Sequence, residues 1–117
     1  MVIKLKTELK KLQRGSIIKL SFDPVVGHEQ SGYRPALVIS DVVFHTITGF
    51  ALCIPITSKR KGLLFEIEIQ GKKVNGVGLL HGAKMFDLNT RDFVYVEKAS
   101  QDAINKAQVL FTKIVNE

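Results

Sequence analysis

Tryptophan is absent from this 117-residue chain, cysteine occurs once and proline three times. The lone Cys53 cannot form an internal bridge, which excludes a disulfide scaffold and leaves nothing that points to an oxidising compartment. No apolar run approaches the roughly 18 residues that a spanning helix needs. The opening Met1-Val2-Ile3-Lys4-Leu5-Lys6 turns charged where a signal peptide carries its apolar stretch. A cytoplasmic protein that meets no membrane is expected. Acids are also scarce, 11 Asp and Glu against 17 Lys and Arg for a net charge of +6. That balance suits a polyanionic partner, and equally a merely solubilising surface. Catalytic templates are missing too: there is no GxSxG elbow, no phosphate-cradling glycine loop and no HExxH. His28, His45 and His81 stand too far apart to spell a zinc site with Cys53. No metal and no cofactor are expected.

What remains is enough for one domain, residues 1–117, with 45% hydrophobic residues and no need of a staple. Residues 2–13 place Leu5, Leu9 and Leu12 at helical spacing among lysines, which predicts a short basic amphipathic helix. After Gly15 the period changes. Ser16–Phe22, Ala36–Ser40, Phe50–Ile56, Leu63–Gln70, Val77–His81 and Phe93–Val96 read as six short strands between segments that mostly carry Gly, Pro, Asp or Asn. Phe65 to Gln70 alternates strictly, with three apolar side chains on one face and three polar ones on the other. Gly71 to Gly76 then forms a hairpin turn. Ala103, Ile104, Ala107, Leu110, Phe111 and Ile114 recur at helical spacing, so a helix over 100–115 with Ser100 as its N-cap closes the chain. The class is mainly β with a C-terminal helix (α+β), a small antiparallel barrel or curled sheet.

Two segments are hard to explain as folding devices. The first, from Phe22 to Pro35, is a long polar loop that gathers His28, Glu29, Tyr33 and Arg34. For Asp23-Pro24, Gly27 and Gly32 turn chemistry is explanation enough. Arg34, held just before Pro35 where an apolar strand begins, offers a fixed fork of donors for a phosphate; a surface ion pair with Glu29 is the plainer alternative. The second runs from Cys53 to Gly62, where an apolar strand ends in Thr57 and Ser58 and passes at once into Lys59, Arg60 and Lys61. Hydroxyls beside a cationic loop suit phosphate contact, although solvated turn charges look the same in a sequence. RNA cleavage fits such residues, because the 2′-hydroxyl is a built-in nucleophile. The protein need only move protons and stabilise charge at phosphorus.

Phe22-Asp23-Pro24, Gly27-His28-Glu29-Gln30, Gly32, Arg34-Pro35-Ala36-Leu37-Val38 and then Pro55-Ile56-Thr57-Ser58 together resemble the MazF/PemK family, the ribonuclease toxins of bacterial toxin–antitoxin pairs. The match runs in order from about Arg14 to the final helix. The resemblance implies an SH3-like barrel acting as a homodimer. It also implies metal-independent, sequence-specific cleavage of single-stranded RNA and mRNA to 2′,3′-cyclic phosphate and 5′-hydroxyl ends, and so inhibition of translation and growth. By position, Arg34 looks like the family arginine of proton transfer and phosphate stabilisation, and Thr57 like the threonine that holds the scissile phosphate. Glu29 stands where family members carry an acidic residue, with His28 beside it where histidine is frequent. The sequence departs from the family after Leu80, where His81-Gly82 replaces an Asp-Gln or Asn-Gln pair. His81 either substitutes for a catalytic base, as an imidazole that titrates in the physiological range is able to do, or marks an altered site. Gln30, Tyr33, Ser58, Lys59, Arg60, Lys61, Lys84 and Arg91 complete the expected RNA-binding set. The implied partner is a cognate antitoxin whose disordered acidic C-terminal segment folds onto the basic groove, with operator DNA reached only through that antitoxin.

Two other readings compete. A non-catalytic RNA-binding barrel would stack bases on aromatics, yet Phe22, Tyr33, Phe44 and Phe50 show no stacking pattern in the sequence. A toxin resembling the CcdB family would act by protein contact, and that family relies on a Trp-containing C-terminus that this chain lacks.

Overall fold

Runs of consecutive apolar residues form strands here because both faces of the sheet are covered. The computed structural model describes residues 9–24 and 31–116. In chain order these form β1 Ser16–Ser21, β2 Tyr33–Val38, α1 Val42–Thr48, β3 Phe50–Thr57, β4 Glu66–Gln70 and β5 Asn75–Leu79. A 3₁₀ turn Leu80–Gly82, β6 Lys84–Asp87, β7 Val94–Lys98 and α2 Gln101–Val115 follow. Every strand pairing is antiparallel, in the order β4-β5-β3-β2-β1-β7, with β6 also on β3.

One face of the sheet buries Ile17, Leu37, Ile54 and Ile67 against Ala103, Ile104, Ala107 and Leu110 of α2. The helix starts where the sequence places it, with Ser100 Oγ accepting from Ala103 N at 3.2 Å. The other face buries Ile18, Leu20, Ala36 and Val38 under Leu9, Leu12, Phe22 and Phe86. Residues 9–11 are helical, and Leu9 and Leu12 of the expected apolar stripe are buried. The rest of the segment expected to be helical, Leu5 included, lies outside the described residues. β4 and β7 remain the edges of a half-barrel sheet and share no ladder. A side chain joins them instead: the Glu97 carboxylate on β7 accepts from the backbone N–H groups of Lys72, Lys73 and Val74 in the β4–β5 turn. Burial acts to raise the Glu97 pKa, but the three backbone donors outweigh it and hold the carboxyl below its ordinary range.

Two elements fall where the sequence predicts none. α1 is built of Val42-Val43-Phe44-His45-Thr46-Ile47-Thr48, a composition that favours strands. Its ends decide the matter: Asp41 caps Val43 N at 2.9 Å, and Gly49 terminates the helix at φ +77°. β6 has only four residues and no alternation, and it forms by pairing with β3. The expected strand Leu63–Gln70 is shorter, starting at Glu66, and Val77–His81 gives way to the 3₁₀ turn at Leu80.

Of the three histidines, His45 is fully buried. Its Nδ1 lies 2.9 Å from the Leu12 carbonyl, which only accepts, so Nδ1 carries the hydrogen and Nε2 accepts from the Ser40 hydroxyl at 2.6 Å. Ser40 Oγ in turn accepts from Leu52 N. One neutral imidazole thus ties the N-terminal segment to α1 and β3. Burial lowers its pKa from the ordinary value near 6.5 against the opposing pull of Leu12 and Asp41. The unfolded chain binds this proton more readily, so the stabilisation is complete above about pH 6.5 and is lost as pH falls below it. Thermal melts should show the midpoint dropping between about pH 7 and 5, and an NMR titration should give His45 a midpoint below that of ordinary imidazole. A midpoint at or above it would refute the assignment.

Candidate active site

The β2–β3 ladder ends at Ala36↔Pro55. Arg34 and Thr57 each lie two residues beyond that pair, so alternation along the strands puts both side chains on its face. There the strands part, and β3 turns to β5 through Ile56↔Gly78 and Thr57↔Val77. The site begins in this fork. Both residues are half-buried. Arg34 Nε donates to the Ser31 carbonyl at 2.9 Å, which sets the plane of the guanidinium. Thr57 Oγ1 accepts from Lys59 N at 3.3 Å and starts the basic loop.

Pro55 explains what lies beside the fork. It has no N–H for a ladder partner, and opposite it the neighbouring chain is interrupted. β6 pairs with Phe50–Cys53, β5 pairs with Ile56 and Thr57, and the 3₁₀ turn Leu80–Gly82 bridges the gap. A Cβ on Gly82 would stand 2.9 Å from Pro55 Cγ. The Gly82 of this departure therefore packs against Pro55, the β3 residue of the last ladder pair before the fork, with His81 exposed. Lys84 pairs with Cys53 and shares the face of Pro55 and Thr57. Cys53 itself is a core residue, and burial pushes its thiol up to about 12.

The long loop between β1 and β2 is closed at its neck. Phe22 N donates to the Gly32 carbonyl, and Gly32 N donates to Asp23 Oδ1. Arg91 fastens the same neck, its Nη1 donating to the carbonyls of Ser21 at 2.6 Å and Asp23 at 2.8 Å. Its guanidinium lies 4.8 Å over the Phe86 ring, which meets Phe22 edge-on at 4.9 Å. The fork of Arg91 is thus engaged within the fold, and with the exposed Tyr33 it borders a shallow cleft with Thr90 and Asp92. His28, Glu29 and Gln30 lie outside the described residues.

Beyond Thr57 the expected cationic loop divides. Ser58, Lys59, Arg60 and Lys61 are all exposed, but Arg60 pairs with Glu68 at 2.8 Å. Glu66, also on β4, is buried, and its two oxygens accept from Lys61 N at 3.0 Å and Gly62 N at 3.1 Å. Alternation alone reads both acids as part of a solvated face. Their position on the strand that follows three consecutive bases was the available signal that they serve the loop. No three His, Cys, Asp or Glu side chains gather as a ligand set among the described residues. No helix there is long and apolar enough to cross a membrane.

Residues 13–115 match the family model described as PemK-like, MazF-like toxin of type II toxin–antitoxin system. The chain is 41% identical over 70 residues to the endoribonuclease toxin MazF of Escherichia coli K12, an alignment that covers 60% of this chain and 63% of that protein. It is 32% identical over 109 residues to the endoribonuclease toxin ChpB of the same strain, covering 88% and 93%. Among solved structures, MazF of Deinococcus radiodurans superposes with a TM-score of 0.82 at 30% identity, over 89% of this chain and 96% of that one. In its MazE–MazF form the values are 0.76, 30%, 89% and 95%.

Proposed function

Because the chain belongs to the PemK-like, MazF-like family of toxins of type II toxin–antitoxin systems, we propose that it is a cytoplasmic endoribonuclease. It cuts single-stranded RNA without a metal and so arrests translation and growth. The observation that carries this reading is the fork: Arg34 and Thr57 each lie two residues beyond the last β2–β3 pair, on one face by strand alternation, where β2 and β3 separate. A phosphodiester seated there meets a guanidinium fork and a hydroxyl together. The 2′-oxygen attacks phosphorus, its proton passes to a base on the protein, and Arg34 stabilises the charged pentacovalent phosphorus. The P–O5′ bond then breaks with a proton delivered to the 5′-oxygen, leaving a 2′,3′-cyclic phosphate and a 5′-hydroxyl. Thr57 holds a phosphate oxygen. Glu29, His28 and His81 are the groups proposed for proton transfer. Gln30, Tyr33, Ser58, Lys59, Lys61 and Lys84 are proposed to bind the RNA, and Arg91 supports the loop neck from beneath.

The working unit is a homodimer, and its inhibitor is a cognate antitoxin with an acidic flexible segment, through which alone operator DNA is reached. The solved MazE–MazF relative supports such a partner.

Incubation of the protein with a long single-stranded RNA in EDTA tests the reading. Fragments with cyclic phosphate and 5′-hydroxyl ends are expected, and they should vanish with Arg34→Ala. Binding without scission would identify a non-catalytic barrel instead. His81→Ala should remove one limb of the pH–rate profile while RNA affinity stays near that of the parent. An unchanged profile would make His81 a bystander and leave the base to the loop between β1 and β2.

A further inference from the structure

The three consecutive bases after Ser58 are chemically distinct in the fold. Arg60 presents Nε at 3.1 and 3.2 Å and Nη2 at 2.8 Å to the Glu68 carboxylate, a two-pronged arrangement. Among the described residues the two form a salt bridge at 2.8 Å. Neither Lys59 nor Lys61 has an acidic partner there. The main chain of the loop is held separately, by Glu66 at Lys61 N and Gly62 N and by Thr57 at Lys59 N. The Arg60–Glu68 pair is therefore not what shapes the loop. It is also open to solvent, with side chains 48% and 45% exposed, and a pair so exposed contributes little net stability.

A carboxylate in this geometry presents two oxygens to a guanidinium much as a phosphodiester does. We propose that Glu68 is an in-chain competitor for RNA phosphate: it occupies the donor fork of Arg60, and the RNA backbone must displace it before Arg60 makes its contact. Lys59 and Lys61 attract RNA at a distance, whereas Arg60 engages only when a phosphate is seated close beside β4. The hydrogen bond from Arg60 holds the Glu68 carboxyl below its ordinary pKa range, so the competitor stays ionised at neutral pH. The inference rests on the RNA reading above.

Binding of a labelled single-stranded 2′-O-methyl RNA, which has no free nucleophile and stays intact, measures this directly by fluorescence anisotropy over a series of salt concentrations. Glu68→Gln should bind about two- to fivefold more tightly than the parent, the scale of an exposed pair. Its log affinity should fall more steeply with log salt by about 0.7, the release expected for one added phosphate contact on a single strand. In an Arg60→Ala background, Glu68→Gln should change nothing. A melting temperature near that of the parent for each variant confirms that Glu66 still holds the loop. Affinity unchanged or weakened by Glu68→Gln overturns the proposal. So does a gain that survives in the Arg60→Ala background, since that gain would come from net charge alone. Failure of the parent itself to bind RNA overturns the RNA reading, and the competitor with it.

Discussion

Arg34→Ala should lower RNA cleavage by about two to three orders of magnitude, the cost of removing a fixed donor to transition-state charge. The loss should fall on kcat more than on KM, because the charge that the guanidinium answers is largest at the pentacovalent phosphorus. The fold should survive. Among the described residues Arg34 makes one side-chain hydrogen bond, to the Ser31 carbonyl, so the melting temperature should move little. Arg34→Lys sharpens the test: it retains charge and much of the RNA affinity but loses the planar fork, and its turnover should stay close to that of the alanine variant. Single-turnover cleavage of a defined RNA at saturating protein measures all three. Near-parental turnover in Arg34→Ala would remove the residue from the chemistry.

Gly76→Ala should produce the largest loss of stability for the smallest change of side chain. Gly76 sits at φ +156°, and a Cβ there would stand 2.3 Å from the Thr57 carbonyl oxygen and 3.0 Å from its carbon. Both atoms are main chain, so no flexible side chain can give way. Relief requires β3 and β5 to separate at Ile56↔Gly78 and Thr57↔Val77, which moves Thr57 itself. Overpacking of this kind, with added backbone strain, costs about 2–4 kcal/mol, a fall in melting temperature on the order of 10 °C. Whatever fraction remains folded should cleave poorly. Gly62→Ala supplies the contrast: Gly62 is at φ +71° with nothing within 4 Å of the added carbon, so only strain of about 1 kcal/mol applies. Equal melting temperatures for the two variants would show that the approach to Thr57 has no energetic weight.

Much of the fold is legible in the residues. Apolar runs became β1 and β3, the alternation of Glu66 to Gln70 became β4, and Ser100 caps the last helix. α1 was hidden because its β-branched residues argue for a strand, and only the paired signals of Asp41 and Gly49 argue otherwise. β6 was hidden because four residues without alternation carry no period of their own. Pro55 was visible, yet its consequence was not. That the missing N–H would break the opposite strand and set His81-Gly82 beside the fork depends on which strand comes to lie opposite.

Composition and spacing by themselves determined the class of the chain, its basic character, and the two segments that bear Arg34 and Thr57. Those properties depend on residue type and on periods of a few residues, which any stretch of sequence displays. The tertiary structure alone decided which of several similar groups is engaged. It buried His45 and left His81 exposed, turned Arg91 onto carbonyls 70 and 68 residues away, and gave Arg60 rather than its neighbours to Glu68. Charge neutralisation and burial are set by what lies across the fold, and the register that brings those partners together is a property of the whole sheet rather than of any one segment.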